Sequence, residues 1–472
     1  MNKRIYLIAV LLWFLAIEAF LLFAKRSEAS ELERRKLNTF PELTADAYWS
    51  GDFTEGISNW FSDTVPMRDT LMEQAMTLMG AKGLAGGSGV VFVGVGTGAA
   101  PAENVQETEP APVAAPSGIH SVADVWAPYE ALVDEHDRQI AEEEAAKAHR
   151  NERIEKDFNG AVDDQYILAK NGIIVTGSGA QTRAMMLYGG NKDVAVSYAQ
   201  MVNHYKEVMP KVNVYCMPIP TSIAYYCPAE ALRYTGSQVD RINDMMETFS
   251  DDVVGVDIYS VLGEHTDEPI YSRTDHHWAP LGAFYAAQKF AEEADVPFME
   301  LSEYEEKHIN NYVGTMYMWS KSQQVKDNPE TFVYYEPTSL EYRTTYIDYV
   351  TQNGNPVKEE APHDGHFFQK YPDGHSDAYC TFMGSDERIT QVHTSTMNGR
   401  KLLVIKDSFG NAVPGYLFGS FQEVHVIDYR YFLRNVVEYV AEYGITDILF
   451  AHNVSHATTP YIVTCCERFL TR

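Results

Sequence analysis

KLLVIKDSFGNAVPGYL, residues Lys401 to Leu417, opens as a short apolar strand and breaks into a turn at Asp407-Ser408. Working outward, VHVID (residues 424–428) is a second apolar strand. Leu433, Val436, Val437 and Val440 then recur at helical spacing, and Gly444 is placed to end that helix. DILFAHN (Asp447 to Asn453) is a third strand. The same alternation stands upstream. Tyr198, Met201, Val202 and Tyr205 mark a helix that Pro210 stops, VNVYCMPIP follows as a buried strand, Val239, Ile242, Met246 and Phe249 mark a helix, and VVGVDIYSVL (253–262) reads as a strand. Strands alternating with helices predict an α/β fold, a parallel sheet with flanking helices on both faces.

Ahead of this unit, YILAKNGIIVTG (166–177) carries Asn171-Gly172 between apolar runs, the signature of a type I′ hairpin. Between the two halves, residues 300–400 are rich in Tyr, Thr, Asp and Gly without a sustained period, and read as an irregular insertion or lid carrying a few strands.

The N-terminal part is organised differently. Tyr6 to Phe23 is almost continuously apolar, with Lys3 and Arg4 before it and Lys25 and Arg26 after it. Its ~18 residues just suffice to cross a bilayer core, and the leading charges favour a cytoplasmic N-terminus. A cleaved signal peptide and a buried core helix compete, although Leu22-Phe23-Ala24 is a poor cleavage site. Residues 1–26 are therefore expected to be an anchor or signal, and 27–96 a membrane-proximal region. That region holds a helix with Leu71, Ala75, Leu78 and Met79 on one face, and a strand, GVVFVGVG. Residues 97–158 read as a linker and charged helix: Ala, Pro, Glu and Thr without period to Gly118, then a solvated helix over 132–158. The catalytic candidate domain is 159–472.

Whole-chain numbers fit an exported protein. The 472 residues allow roughly two to three domains. The net charge of −29 repels phosphate backbones and argues against nucleic-acid partners. Five cysteines show no C-x-x-C spacing, so neither a metal nor a redox function follows from them.

The chemistry concentrates in RTDHHWAPLGAFYAA, Arg273 to Ala287. This stretch joins a strand to a helix that Pro280 starts and whose apolar face is Leu281, Phe284, Ala287 and Ala291. An aspartate beside a histidine fixes the imidazole tautomer and stabilises the imidazolium formed when the ring takes a proton. Spacing favours Asp275 with His277, because alternate residues of an extended loop share a face. A hydrogen-bonded cap on the helix explains the same residues without catalysis, and a metal held by Asp275, His276 and His277 lacks further ligands at suitable spacing. Ser408, at the carboxyl end of its strand, is the matching nucleophile, with backbone N–H groups of the next turn facing an oxyanion. Asp-Ser after a strand is also a common helix cap. Asn453 ends a neighbouring strand, from which its amide can reach the same oxyanion. Arg430 suits an anionic or hydroxyl-rich ligand, or a plain salt bridge. Ser222, His452 and His456 rank lower, having no carboxylate at comparable spacing.

TDHHW together with IKDSFGNAVPGYL and VIDYRYF resembles the DHHW protein family of bacterial exported proteins, itself similar to the SGNH-hydrolase-like domains of alginate O-acetyltransferases. ERRKLNTFPEL (33–43) and FSDTVPMRD (61–69) share the likeness, so it spans nearly the whole chain outside the linker. The resemblance implies an SGNH-like domain with circularly permuted motif order. It implies Asp275 as orienter, His277 as base and Ser408 as nucleophile, with Arg430, Asn453 and Trp278 at the oxyanion or substrate, and no metal or cofactor. Two departures stand out: Lys406 replaces the Gly of G-D-S, and the doubled histidine leaves His276 without a role. The implied activity is acyl transfer, O-acetyl above all, to or from an extracellular polysaccharide. A membrane-bound acyltransferase is the expected partner. The rival is a cell-surface glycan-binding or assembly protein that keeps the fold without catalysis. The distance from Ser408 to His277 separates the two.

Overall fold

The computed structural model describes residues 151–472 except 160–164 and 353–354, and short stretches between positions 24 and 66. The expected anchor, the strand over 89–96, the helix of Leu71 to Met79 and the linker lie outside the described residues. Among the described residues no helix is long and apolar enough to cross a membrane.

The hairpin is present. Asn171 and Gly172 both take positive φ, 59° and 67°, and turn the chain between β1 (Tyr166–Leu168) and β2 (Ile173–Thr176). Asparagine and glycine enter that region at little steric cost. With β3 (Arg183–Met186) they form a three-stranded antiparallel sheet.

The large sheet is built from the alternation. α1 (Lys192–Val208) is capped by Asn191, buries Tyr198, Met201, Val202 and Tyr205, and ends before Pro210. β4 (Asn213–Ile219), α2 (Gln238–Met246) and β5 (Val253–Gly255) follow. The expected strand over 253–262 is only three residues long. Asp257 accepts from the Ser260 N–H and starts α3 (Ile258–Glu264), so an N-cap overrides the apolar run. The end of the charged segment is also not helical: residues 151–158 run without helix, Ile154 bonding the Asn243 side chain through both its N–H and its carbonyl.

α4 (Pro280–Glu293) starts at Pro280 and buries the expected face. The region expected to be irregular is instead largely regular. β6 (Tyr304–Tyr312) pairs with β7 (Glu330–Pro337), and α5 (Thr315–Ser320) lies between them in sequence. β8 (Tyr342–Gln352), β9 (Asn355–Glu359), β10 (His363–Gly365) and β11 (Arg388–Thr394) extend the main sheet. Its buried positions include Tyr346 and Thr344, strand-forming residues that do not read as an apolar stripe.

β12 (Lys401–Lys406), β13 (Glu423–Asp428), α6 (Val436–Tyr443), β14 (Asp447–Asn453) and α7 (Pro460–Thr471) complete the chain, with Gly444 closing α6 at φ 65°. The nine-stranded sheet runs β9-β8-β11-β13-β12-β14-β4-β5, with β10 on β8. From β13 to β5 neighbouring strands are parallel; from β9 to β13 they are antiparallel. The fold is therefore mixed α/β, with the expected parallel sheet as its core. Val404, Ile405, Leu449 and Phe450 are wholly buried in it. β12 lies between two parallel partners, so the turn at Ser408 emerges from the middle of the sheet at its carboxyl edge.

Candidate active site

At that edge the DHHW loop meets the turn after β12. Asp275 Oδ1 lies 2.6 Å from His277 Nδ1, and His277 Nε2 lies 2.9 Å from Ser408 Oγ. The carboxylate only accepts, so Nδ1 carries the proton and Nε2 faces the serine hydroxyl as acceptor. Asp275 is 3% exposed, yet all its bonding capacity is used. Oδ1 also takes the His277 N–H, and Oδ2 takes the N–H and hydroxyl of Thr315. Burial alone would raise this carboxyl. The neighbouring His276 and His277 and the donated hydrogen bonds hold it well below the usual carboxylate range.

The loop itself is held from behind. Glu330, the first residue of β7, accepts from Ser272 Oγ, the N–H groups of Arg273 and Thr274, and Thr274 Oγ1. Gly314 packs so closely that an added Cβ would stand 2.5 Å from Asp275 Cβ. His277 is sandwiched, with Tyr379 stacked at 3.8 Å and His276 at 3.7 Å. Glu330, Thr315 and Tyr379 carried no signal in the sequence, because each reaches the site from a distant position in the chain.

His276 places Nδ1 2.6 Å from Thr315 Oγ1. Thr315 spends its hydroxyl proton on Asp275, so His276 donates through Nδ1. Asp275, His276 and His277 bring ligand atoms within 4.8 Å of one another, spacing that a cation accepts, and the group has three members among the described residues.

Two expected roles require correction. Trp278 is wholly buried and its Nε1 donates to the Phe409 carbonyl and Tyr379 hydroxyl. It fastens the serine turn to the DHHW loop and does not line the cavity. Asn453 is turned away from the serine: its N–H and Nδ2 both donate to Asp407 Oδ2, while Oδ1 caps His456. His456, which has no carboxylate at comparable spacing in the sequence, places Nδ1 2.9 Å from the same Asp407 oxygen. Of the turn's amides, Phe409 and Gly410 donate to Asp407 Oδ1 and its carbonyl, and the Ser408 N–H takes no part in these two bonds. Asp407 is the turn's brace. Ser222 and His452 are buried elsewhere, His452 with Nδ1 2.8 Å from the Tyr198 hydroxyl.

Arg430 does border the site. A cavity of about 280 Å³ is lined by Asp275, His276, His277, Trp319, Ser408 and Arg430, among others. Lys406, at the place of the glycine in G-D-S, turns its ammonium onto Asp386 at 2.6 Å and Asp428 at 2.9 Å. Arg430 pairs with the same two carboxylates. The turn is preserved because Gly410 lies over Lys406, where a Cβ would come 2.5 Å from Lys406 Cβ. None of the five cysteines forms a disulfide, and Cys380 lines the cavity.

The mixed α/β domain thus presents an acid, an imidazole and a hydroxyl hydrogen-bonded in series at its sheet edge, the order of groups in a serine triad. The profile of the DHHW proteins matches residues 169–427, and this chain belongs to that family. A DHHW family protein of known crystal structure from Eubacterium siraeum DSM 15702 is 38% identical, with a TM-score of 0.57 over 66% of this chain and 98% of that one. Bacillus cereus PatB1, solved with a sulfonyl adduct, is 16% identical with a TM-score of 0.49, covering 63% of this chain and 98% of its own. The O-acetyltransferase domain of Pseudomonas putida AlgJ is 10% identical with a TM-score of 0.35, covering 66% and 100%. No curated protein matches.

Proposed function

We propose that this protein is an extracytoplasmic acyltransferase or esterase acting on O-acyl groups of a cell-envelope or exported polysaccharide. The observation that carries the reading is the unbroken series Asp275, His277, Ser408 at 2.6 and 2.9 Å, opening on a cavity. Ser408 Oγ attacks the acyl carbonyl while His277 Nε2 takes the hydroxyl proton. The imidazolium, held by Asp275, returns that proton to the leaving oxygen, and the acyl group stays on Ser408. An incoming hydroxyl then loses its proton to His277 and displaces the serine. A sugar hydroxyl makes the reaction a transfer, and water makes it hydrolysis. The Ser408 N–H is the oxyanion donor on this reading, joined by Arg430 from the cavity wall. The short Ser408–His277 distance favours catalysis over the binding-module alternative.

Export rests on the apolar segment of residues 6–23, and a membrane-bound acyltransferase is the proposed acyl supplier across the bilayer. Protease added to intact spheroplasts should digest the Asp275 region; full protection would remove the exported placement. For the chemistry, the soluble fragment should turn over p-nitrophenyl acetate, and Ser408→Ala should not. Equal turnover by both proteins would end the serine reading.

A further inference from the structure

The charges around Ser408 are arranged in a way that bears on what can enter. Arg430 is a cation on the cavity wall, and its charge is already answered. Its Nε lies 2.8 Å from Asp428 Oδ1, and its Nη2 lies 2.6 Å from Asp428 Oδ2 and 2.9 Å from Asp386 Oδ2. Lys406 is buried behind it and bonded to the same two carboxylates. The four groups form a neutral quartet of two cations and two anions. Asp386 is fixed further by Asn411 Nδ2 at 2.8 Å. Burial would raise its carboxyl, but Lys406 and Arg430 outweigh that and keep it ionised. Beyond the quartet the wall adds the carboxylates of Asp275 and Asp377, and Asp407 lies buried directly behind Ser408. The site therefore carries more negative than positive charge among the described residues.

To form a charge-balancing ion pair, an anionic substrate group would have to draw Arg430 away from Asp386 or Asp428. That would leave a buried carboxylate short of its partner, the costly half of breaking a buried ion pair. A neutral hydroxyl or acyl oxygen has no such requirement. It can accept from Arg430 Nη1, which takes no part in the contacts to Asp386 and Asp428, while the quartet stays intact. We propose that the site selects glycans that are uncharged near the reacting hydroxyl, and disfavours uronate- or phosphate-bearing ones. This inference rests on the acyl-transfer reading above and adds the substrate's charge class to it.

The test compares acetate release by the full soluble fragment from O-acetylated xylo-oligosaccharides and O-acetylated oligogalacturonides of equal length, with p-nitrophenyl acetate as control. The neutral substrate should be favoured in kcat/KM by about tenfold or more at low ionic strength, and added salt should narrow that gap. Asp386→Asn leaves the quartet with one excess positive charge and should narrow it about threefold or more. Equal or faster release from the galacturonides by the wild type overturns the proposal. So does a gap that the folded Asp386→Asn protein leaves unchanged. If that variant fails to fold, the wild-type comparison and its salt dependence still decide. Turnover of p-nitrophenyl acetate without release from either oligosaccharide overturns the glycan selectivity and leaves the serine chemistry standing. No turnover of p-nitrophenyl acetate overturns the acyl-transfer reading itself.

Discussion

His277 Nε2 lies 2.9 Å from Ser408 Oγ although 131 positions of chain separate the two residues. The loop before α4 and the turn after β12 are brought together by the sheet and then tied directly. Trp278 Nε1 and the Tyr379 hydroxyl both donate to the Phe409 carbonyl, one residue past the serine.

Residues acting as one unit are non-additive on removal. Ser408→Ala and His277→Ala should each lower acetyl-ester turnover by about 10³-fold or more, and the double variant should be little worse. Asp275→Asn should be nearly as damaging, because an amide cannot accept from both His277 and Thr315 as the carboxylate does. His276→Ala should cost within about tenfold. Steady-state kinetics on folded proteins, checked by circular dichroism, decide this. If Ser408→Ala keeps full turnover while Asp275→Ala and His276→Ala lose it together with a bound metal, the cluster of Asp275, His276 and His277 is a metal centre instead.

Glu330 accepts hydrogen bonds from both sides of the residue preceding Thr274, so it sets the height of the DHHW loop. Glu330→Gln replaces one accepting oxygen by a donor that faces donors. It should destabilise the domain by about 1–3 kcal/mol. Because a small misplacement of the base is felt in the chemistry, kcat should drop about 10–100-fold with KM less affected. Urea unfolding and kinetics on the same protein separate the two effects; unchanged kcat would show that the loop holds its position without Glu330.

Lys406→Met removes one cation from the buried quartet. Asp386 and Asp428 would then share Arg430, and the uncompensated charge should cost about 3–5 kcal/mol by urea unfolding. A loss below about 1 kcal/mol would mean that the position tolerates neutral residues as freely as a surface site.

His452 is wholly buried, and burial lowers its pKa to about 4, with Asp407 and Asp428 pulling it up and His456 and Lys406 pulling it down. Its folded pKa is below its unfolded value, so it stays neutral in the fold while the unfolded chain takes up a proton. The stability it contributes is full above roughly pH 6.5 and is lost as pH falls from there toward 4, to a total of about 3 kcal/mol. Thermal midpoints across that range should decline, and His452→Gln should flatten the slope. Below about pH 4, Asp275, Asp386 and Asp407, all held below the usual carboxylate range, should withdraw stability in turn. A midpoint flat from pH 7 to 4 would show that His452 is not held neutral.

The sequence by itself determined the local pieces. The Asn171-Gly172 hairpin, the helix starting at Pro280, the strands over 401–406, 423–428 and 447–453, and the acid-x-base pair of Asp275 and His277 all follow from rules that act within a few residues. A positive φ, an N-terminal proline, an apolar run or a side-chain alternation is legible where it stands. It misled where two local rules competed, as when Asp257 capped a helix inside an apparent strand, and where a buried face was built of Tyr and Thr, as in β8. Tertiary structure alone decided which distant groups meet. It turned Asn453 onto Asp407, sank Trp278 behind the serine turn, set Thr315 and Glu330 under the DHHW loop, and neutralised Arg430 with Asp386 and Asp428. Hydrogen bonds and ion pairs between remote positions leave no period in the chain. Their partners are chosen by the burial and orientation that packing imposes, and those exist only once the sheet has formed.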